Sequence, residues 1–497
     1  MTVSGVGIRT SFLASRILDL QSQFDDLQTQ LSTGKKSDSY AGMGVNRGFA
    51  IGLRAQISNI NSYSDTMTNV TARINVANAA LTRMTAIGTT VQGAATTSST
   101  AITSNGQTTA QATARSSLDE MLNLLNSQSG DRYLFSGRAT DTPATASTDD
   151  ILNGVGGQAG LKQLISERKQ ADVGSGNGRL TQATPSPTSI SFTEDAGPFG
   201  LKLASVTSSN GSVTTSGPTG SPATESLDLG ATNLNNGDTI TLAFKLPDGT
   251  SENVQLTATT TAPPQAGQFL IGANSTATAA NLNTALGTAV SGLANGALVA
   301  ASAMKASSEF FGGSPVPRVG GPPFATATTQ VPGTSANTVS WYTGETGTDS
   351  ARGTAVARVD DGITVQYGAR ADEPAFVNQL QTIAAMAAMT TTSGDPNANA
   401  QVTGLYQRVA TKLLPQSGQQ SLQDIAADFA GTQVAMKSAG DRQAQTKNTA
   451  QTMLQSIEGI NDAEVSAKLL AVQNSLNASY QTTSMLYQTS LLKYMPA

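Results

Sequence analysis

Cysteine and histidine are absent from this chain, tryptophan occurs once, and charged residues fill only 13% of its 497 positions. Without thiols or imidazoles there is no disulfide, no thiolate nucleophile, no Cys/His zinc site and no imidazole acid–base chemistry. Most common enzyme mechanisms lose their central residue, and no cofactor is called for. The lack of thiols suits a protein exported unfolded and exposed outside the cell. Lys and Arg number 29 against 34 Asp and Glu, a net charge of -5 without a basic block, which argues against nucleic acid as a partner. Met1 to Thr10 has no cationic region leading into an apolar run, so it does not read as a cleaved secretory signal. The apolar run Ile383 to Met389 falls far short of the roughly 18 residues a bilayer helix needs, so no membrane insertion is expected.

What is present is written in two patterns. Near the start, Leu13, Ile17, Leu20, Phe24, Leu27 and Leu31 recur at alternating gaps of four and three, the seam of a helix that packs on another helix. Near the end, Val465, Leu469, Val472, Leu476, Tyr480, Tyr487, Leu491 and Tyr494 keep a similar beat. These fourteen positions are the expected assembly interface. Their helices are rich in Gln, Asn, Ser and Thr, which are buried between subunits at lower desolvation cost than unpaired charges.

A second stripe, Leu53, Ile57, Ile60, Met67, Ile74, Ala77, Leu81 and Met84, predicts another long helix, and Leu118 to Leu125 a shorter one. Between Pro143 and about Arg370 short strands are expected, with a little helix at Ala277 to Leu293. The clearest hairpin alternates Ile240, Leu242, Phe244 and Leu246, turns at Pro247-Asp248-Gly249-Thr250, and resumes at Val254 and Leu256. Val339 to Tyr342 and Ile363 to Tyr367 read as further strands, and Pro315 to Pro323 as a joint that divides this region into two modules. Helical spacing returns at Phe376, and again from Leu422 through Ile425, Phe429, Met436, Met453 and Ile457.

The expected fold class is therefore α+β. Long N- and C-terminal helices form a coiled-coil-like assembly core, and a β-rich outer region is inserted between them. The corresponding domains are 1–130, 131–370 and 371–497.

Three separated motifs carry a resemblance. Gln30-Leu31-Ser32-Thr33-Gly34-Lys35-Lys36 after a heptad helix, Asp131-Arg132-Tyr133-Leu134-Phe135-Ser136-Gly137, and Ala463 to Leu470 followed by Ser479-Tyr480-Gln481-Thr482-Thr483 are similar to motifs of bacterial flagellins and their hook-associated relatives. The resemblance covers roughly the first 140 and last 100 residues, in step with their helical periodicity. The Tyr133, Leu134, Phe135, Ser136, Gly137 form and the Gly42 to Gly48 turn look more like hook-associated protein 3, the hook-filament junction group, than bulk filament subunits. The long middle departs from that group. The resemblance implies a nonenzymatic structural subunit of the bacterial flagellum, extracellular and exported through a type III channel. The partners it implies are copies of itself, flagellin, another hook-associated protein and an export chaperone.

Rival chemistry is thin. Ser32-x-x-Lys35 matches an acyl-transfer spacing but sits in a helix-ending turn, and Gly42-x-Gly44-x-x-x-Gly48 misses the dinucleotide spacing. Asp149-Asp150 and Asp360-Asp361 suit turns as well as metal ligation, and Trp341-Tyr342 suits a core anchor as well as a binding platform. Filament flagellin, and more remotely a secreted adhesin or coat protein, stay open as alternative functions.

Overall fold

The computed structural model describes residues 4–392 and 394–492. Helix α1 (Ser4–Thr33) is followed, after a 3-10 turn, by α2 (Arg47–Thr97) and α3 (Thr109–Leu125). A small hairpin, β1 (Gln128–Ser129) and β2 (Arg132–Tyr133), leads to α4 (Thr148–Asn153) and α5 (Leu161–Val173). The strands β3 (Thr181–Ser186), β4 (Ser189–Thr193), β5 (Lys202–Ser208), β6 (Thr214–Thr219) and β7 (Thr224–Asp228) come next. They continue as β8 (Thr239–Lys245), β9 (Ser251–Thr259) and β10 (Gln268–Leu270), then give way to α6 (Ser275–Asn295) and α7 (Ala297–Phe311). Two hairpins, β11 (Pro317–Val319) with β12 (Gln330–Pro332) and β13 (Val356–Asp360) with β14 (Ile363–Gln366), precede α8 (Pro374–Ala388) and α9 (Ala398–Lys412). The chain closes with α10 (Leu422–Glu458) and α11 (Asp462–Leu492).

Helix ends follow local chemistry. The Thr108 hydroxyl accepts the Gln111 N–H while the Gln111 side chain accepts the Thr108 N–H, a reciprocal cap that starts α3. The Asn461 side chain accepts the N–H groups of Ala463 and Glu464 at the start of α11, where Asp462 and Glu464 also favour the positive helix end. At the end of α1, Gly34 takes a φ of 68° and its N–H reaches back to the Gln30 carbonyl at 2.8 Å.

The chain divides into two compact units. The first comprises Met1–Asn69, Ala357–Val365 and Gln433–Ala497, and the second Val70–Val356 and Gln366–Thr432. The second contains two four-stranded sheets, ordered β10-β9-β8-β5 and β3-β4-β7-β6, with β10 parallel to β9 and the other pairings antiparallel. Ile240 pairs with Leu256 and Leu242 with Val254, the register expected of the hairpin. Ile190, Phe192, Leu227, Phe244 and Phe269 of the sheets share one core with Leu282, Leu286 and Val290 of α6. In the same unit, Met84, Leu118, Met121, Phe376, Leu380 and Ile383 are fully buried.

Two expectations about the middle change. Val339 to Tyr342 forms no strand but two isolated bridges, Thr338 to Ala159 and Tyr342 to Thr145. The most extended apolar helical stretch is Ser275–Phe311 rather than Ile383 to Met389, and it has the length and composition of a bilayer-crossing helix. Gly296 interrupts it with φ -111° and ψ -95°; the buried face of α6 closes over the sheet core, while α7 is buried against α5, α8 and α9. That packing is the behaviour of a buried core element, for which apolar composition is equally required.

Candidate assembly interface

In the first unit α1 and α11 pack along each other. On α1 the partly covered positions are Leu13, Ile17, Leu20, Phe24 and Leu27, and then Gln30; Leu31 is exposed. On α11 the stripe is Val465, Leu469, Val472 and Leu476, continuing through Ser479 and Thr483, while Tyr480 and Tyr487 face solvent. The Leu491 side chain and Tyr494 lie outside the described residues. Among the described residues, Val465 and Leu476 are the only two of these apolar positions that are buried, at 7% and 8% exposure. Tyr480 still contributes across the pair, since its hydroxyl oxygen accepts the Gln21 side-chain amide at 2.7 Å.

The seam is therefore a thin, half-covered one. Beyond it, Phe12, Leu18, Leu470, Met485, Leu486 and Tyr487 stand exposed on the outer faces of the same two helices. Most of the exposed large apolar side chains among the described residues belong to this first unit. From Leu469 to Leu492 the α11 sequence contains no charged residue. A long exposed helix face with apolar side chains and no charge is suited to further packing, because each Leu- or Met-sized side chain covered contributes roughly 1.5–3 kcal/mol and no ion must be desolvated.

The Gln30 to Lys36 motif acquires a structural role. After the Gly34 turn, Lys35 bridges to Gly459, the Lys36 N–H donates to the Glu458 carbonyl at 2.8 Å, and the Ile460 N–H donates to the Gly34 carbonyl at 3.2 Å. The Lys36 ammonium donates to the carbonyls of Ser456 and Ile457, complementing the negative end of α10. Glu458 pairs with Arg54 of α2 at 2.8 Å. These bonds tie the α1–α2 connection to the α10–α11 connection and set the register in which the terminal helices meet. The Ser32 hydroxyl is turned back to the Thr29 carbonyl.

The second motif lies in the second unit. Phe135 is fully buried, edge-on to Phe376 with ring centroids 5.5 Å apart. Ser136 bridges Arg370, the Ala371 N–H donates to the Phe135 carbonyl at 2.8 Å, and the Gly137 N–H donates to the Ala369 carbonyl. Gly137 has a φ of 66°, and a Cβ there would meet the Glu345 carboxylate at 2.6 Å. Glu345 in turn accepts the Arg138 N–H at 2.7 Å. The motif thus clamps the point where the chain leaves at 135–137 to the point where it returns at 369–371.

The remaining candidates resolve into local structure. Asp150 and Asp149 open α4, where the Asp150 N–H donates to Ser147 and Asp149 pairs with Arg115 at 2.9 Å. Asp360 and Asp361 make the turn between β13 and β14, and Gly42 to Asn46 belongs to a 3-10 helix. Trp341 is buried against Phe311 and Tyr342, with centroids 5.2 and 5.6 Å away, at the wall of a cleft of about 510 Å³. Ser479, Thr483, Gln30 and Gln21 were not anticipated in the seam. The spacing signal for Ser479 existed, since position 479 lies three residues past Leu476, but the apolar ring at Tyr480 one residue later competes for the same beat.

Comparison with known families now adds an independent observation: residues 8–171 match the bacterial flagellin N-terminal helical region. The match spans 164 of the 497 residues, about a third of the chain, and is a likeness to that family over this stretch. It takes in α1, α2, α3 and both the Gln30 to Lys36 and Tyr133 to Gly137 motifs, and leaves α11 outside. No curated protein and no solved structure matches the chain.

Proposed function

We propose that this protein is a structural, nonenzymatic subunit of the bacterial flagellum that assembles through its terminal helices, and that its position is the hook-filament junction. The observation that carries the reading is the thin α1–α11 seam, backed by an uncharged, apolar outer face on α11. A contact of this kind repeated along a helical lattice does not close on itself, so every added subunit offers the next a fresh surface. Copies of itself are the first partners. At a junction, flagellin and another hook-associated protein occupy the two unlike ends, and an export chaperone shields the apolar helix faces before assembly. The Tyr133 to Gly137 form favours the junction over the filament.

Deletion of the gene tests the position. A junction subunit leaves hooks intact, filaments absent and flagellin shed into the medium, because flagellin has no matching platform on which to polymerise. Loss of a filament flagellin shortens or removes the filament without shedding another flagellin, and that outcome would replace the junction assignment with the filament one.

A further inference from the structure

Glu225 sits on β7 with 1% of its surface exposed. Its register partner on β4 is Phe192, and Leu227, two residues on and on the same face, belongs to the sheet core. Neither oxygen of the Glu225 carboxyl has a hydrogen-bond partner. An ionised carboxylate so placed forfeits its hydration with nothing in return, and such a group takes up a proton instead. Burial, reinforced by the like charge of Glu194, pushes Glu225 up to about 7.

The elements around it supply no counter-ion. Glu194, just past β4, accepts the Leu203 N–H at 2.9 Å. β5 brings Lys202, whose ammonium is turned to the carbonyls of Asp195 and Gly197. β6 and α6 carry no charged residue, and Asp228 on β7 itself accepts the Gly230 N–H. Among the described residues Glu225 has no ion pair.

Next to this carboxyl lies the edge strand β6. Its pairing with β7 loses register between Ser216 and Thr219, alongside Glu225. Gly217, with a φ of 98°, lies so close that a Cβ would sit 2.8 Å from the Glu225 Cα. An interrupted edge strand is the part of a sheet that opens at least cost.

We propose that Glu225 is a proton-dependent latch for strand β6. Protonated, it stays in the core and β6 remains paired to β7; ionised, it draws water and β6 lifts from the sheet around Gly217. The sign follows from linkage. Below the ordinary value of 4.5 the carboxyl is protonated in both closed and open forms and has no effect. Between 4.5 and about 7 only the open form releases its proton, so closure weakens as pH rises, and above about 7 the loss is complete.

Hydrogen exchange on the full-length monomer reads this directly, as the ratio of rates in the wild type to those in Glu225→Gln at amides of β6 and β7. The expected ratio is near one at pH 3.5 and at least about tenfold at pH 8.5, since one unit of pKa shift corresponds to a factor of ten. An equal ratio at both pH values overturns the latch. Glu194→Gln provides the second arm and leaves Glu225 in place. Removing the like charge moves the opening midpoint of β6 to lower pH, and an unmoved or raised midpoint contradicts the proposal.

Discussion

Arg408 on α9 is almost wholly buried, yet its guanidinium is fully engaged: Nε meets Asp248 at 2.8 Å, and another nitrogen meets Glu252 at 3.3 Å and the Thr250 hydroxyl at 3.1 Å. It pins the β8–β9 turn to a helix 160 positions away. Arg408→Met strands the buried Asp248 carboxylate and is expected to cost about 3–5 kcal/mol in urea unfolding of the full chain, with part regained on adding Asp248→Asn. Equal stability of the single and double variants would refute the pairing. Phe135→Ala removes a ring with no exposed surface from its contact with Phe376 and is expected to cost roughly 3–5 kcal/mol by the same measurement. The turn at 247–250 was legible in the sequence because Pro, Asp and Gly act locally. Its docking on Arg408 was not, because nothing in a single sequence pairs residues that far apart.

At the scale of elements, the terminal helices were legible because a half-buried helix leaves a periodic trace. Leu13 to Leu27 and Val465 to Leu476 keep that trace in the structure. Helix α7 left none: Leu298 to Ala303 are all buried, so the stretch is covered on every side and has no stripe to read. α5 was hidden by the opposite circumstance, since Glu167, Arg168 and Asp172 are buried as charged residues through ion pairs and hydrogen bonds with Arg318, Glu309 and Ser302. The thin seam of the first unit carries two predictions. Limited proteolysis of the monomer is expected to cut α1 and α11 well before the sheets of the second unit, and uniform resistance from Ser11 to Tyr487 would contradict this. Leu476→Asp, or Leu20→Asp, places a carboxylate on the seam without a partner and is expected to abolish assembly while the second unit keeps its circular dichroism and melting behaviour. Flagella of normal length from either variant would remove the α1–α11 pair from the assembly surface.

For the whole molecule, the chemistry that is missing and the surface that is present point the same way. A chain without Cys or His, with an uncharged apolar face on α11 and a match to the flagellin N-terminal region over residues 8–171, presents a surface suited to being covered by further copies. Apart from Glu225, buried charged groups hold the fold: Glu373 accepts Arg352, Arg408 holds a hairpin, and Arg168 is held by Asp172 and stacked over Phe199. The most direct measurement of the central claim is immunogold labelling of intact flagella with antibody against the second unit. A junction subunit gives a compact cluster of label where the hook meets the filament; label along the whole filament would make the protein a filament flagellin, and label on the cell surface with none on the flagellum would contradict the flagellar assignment itself.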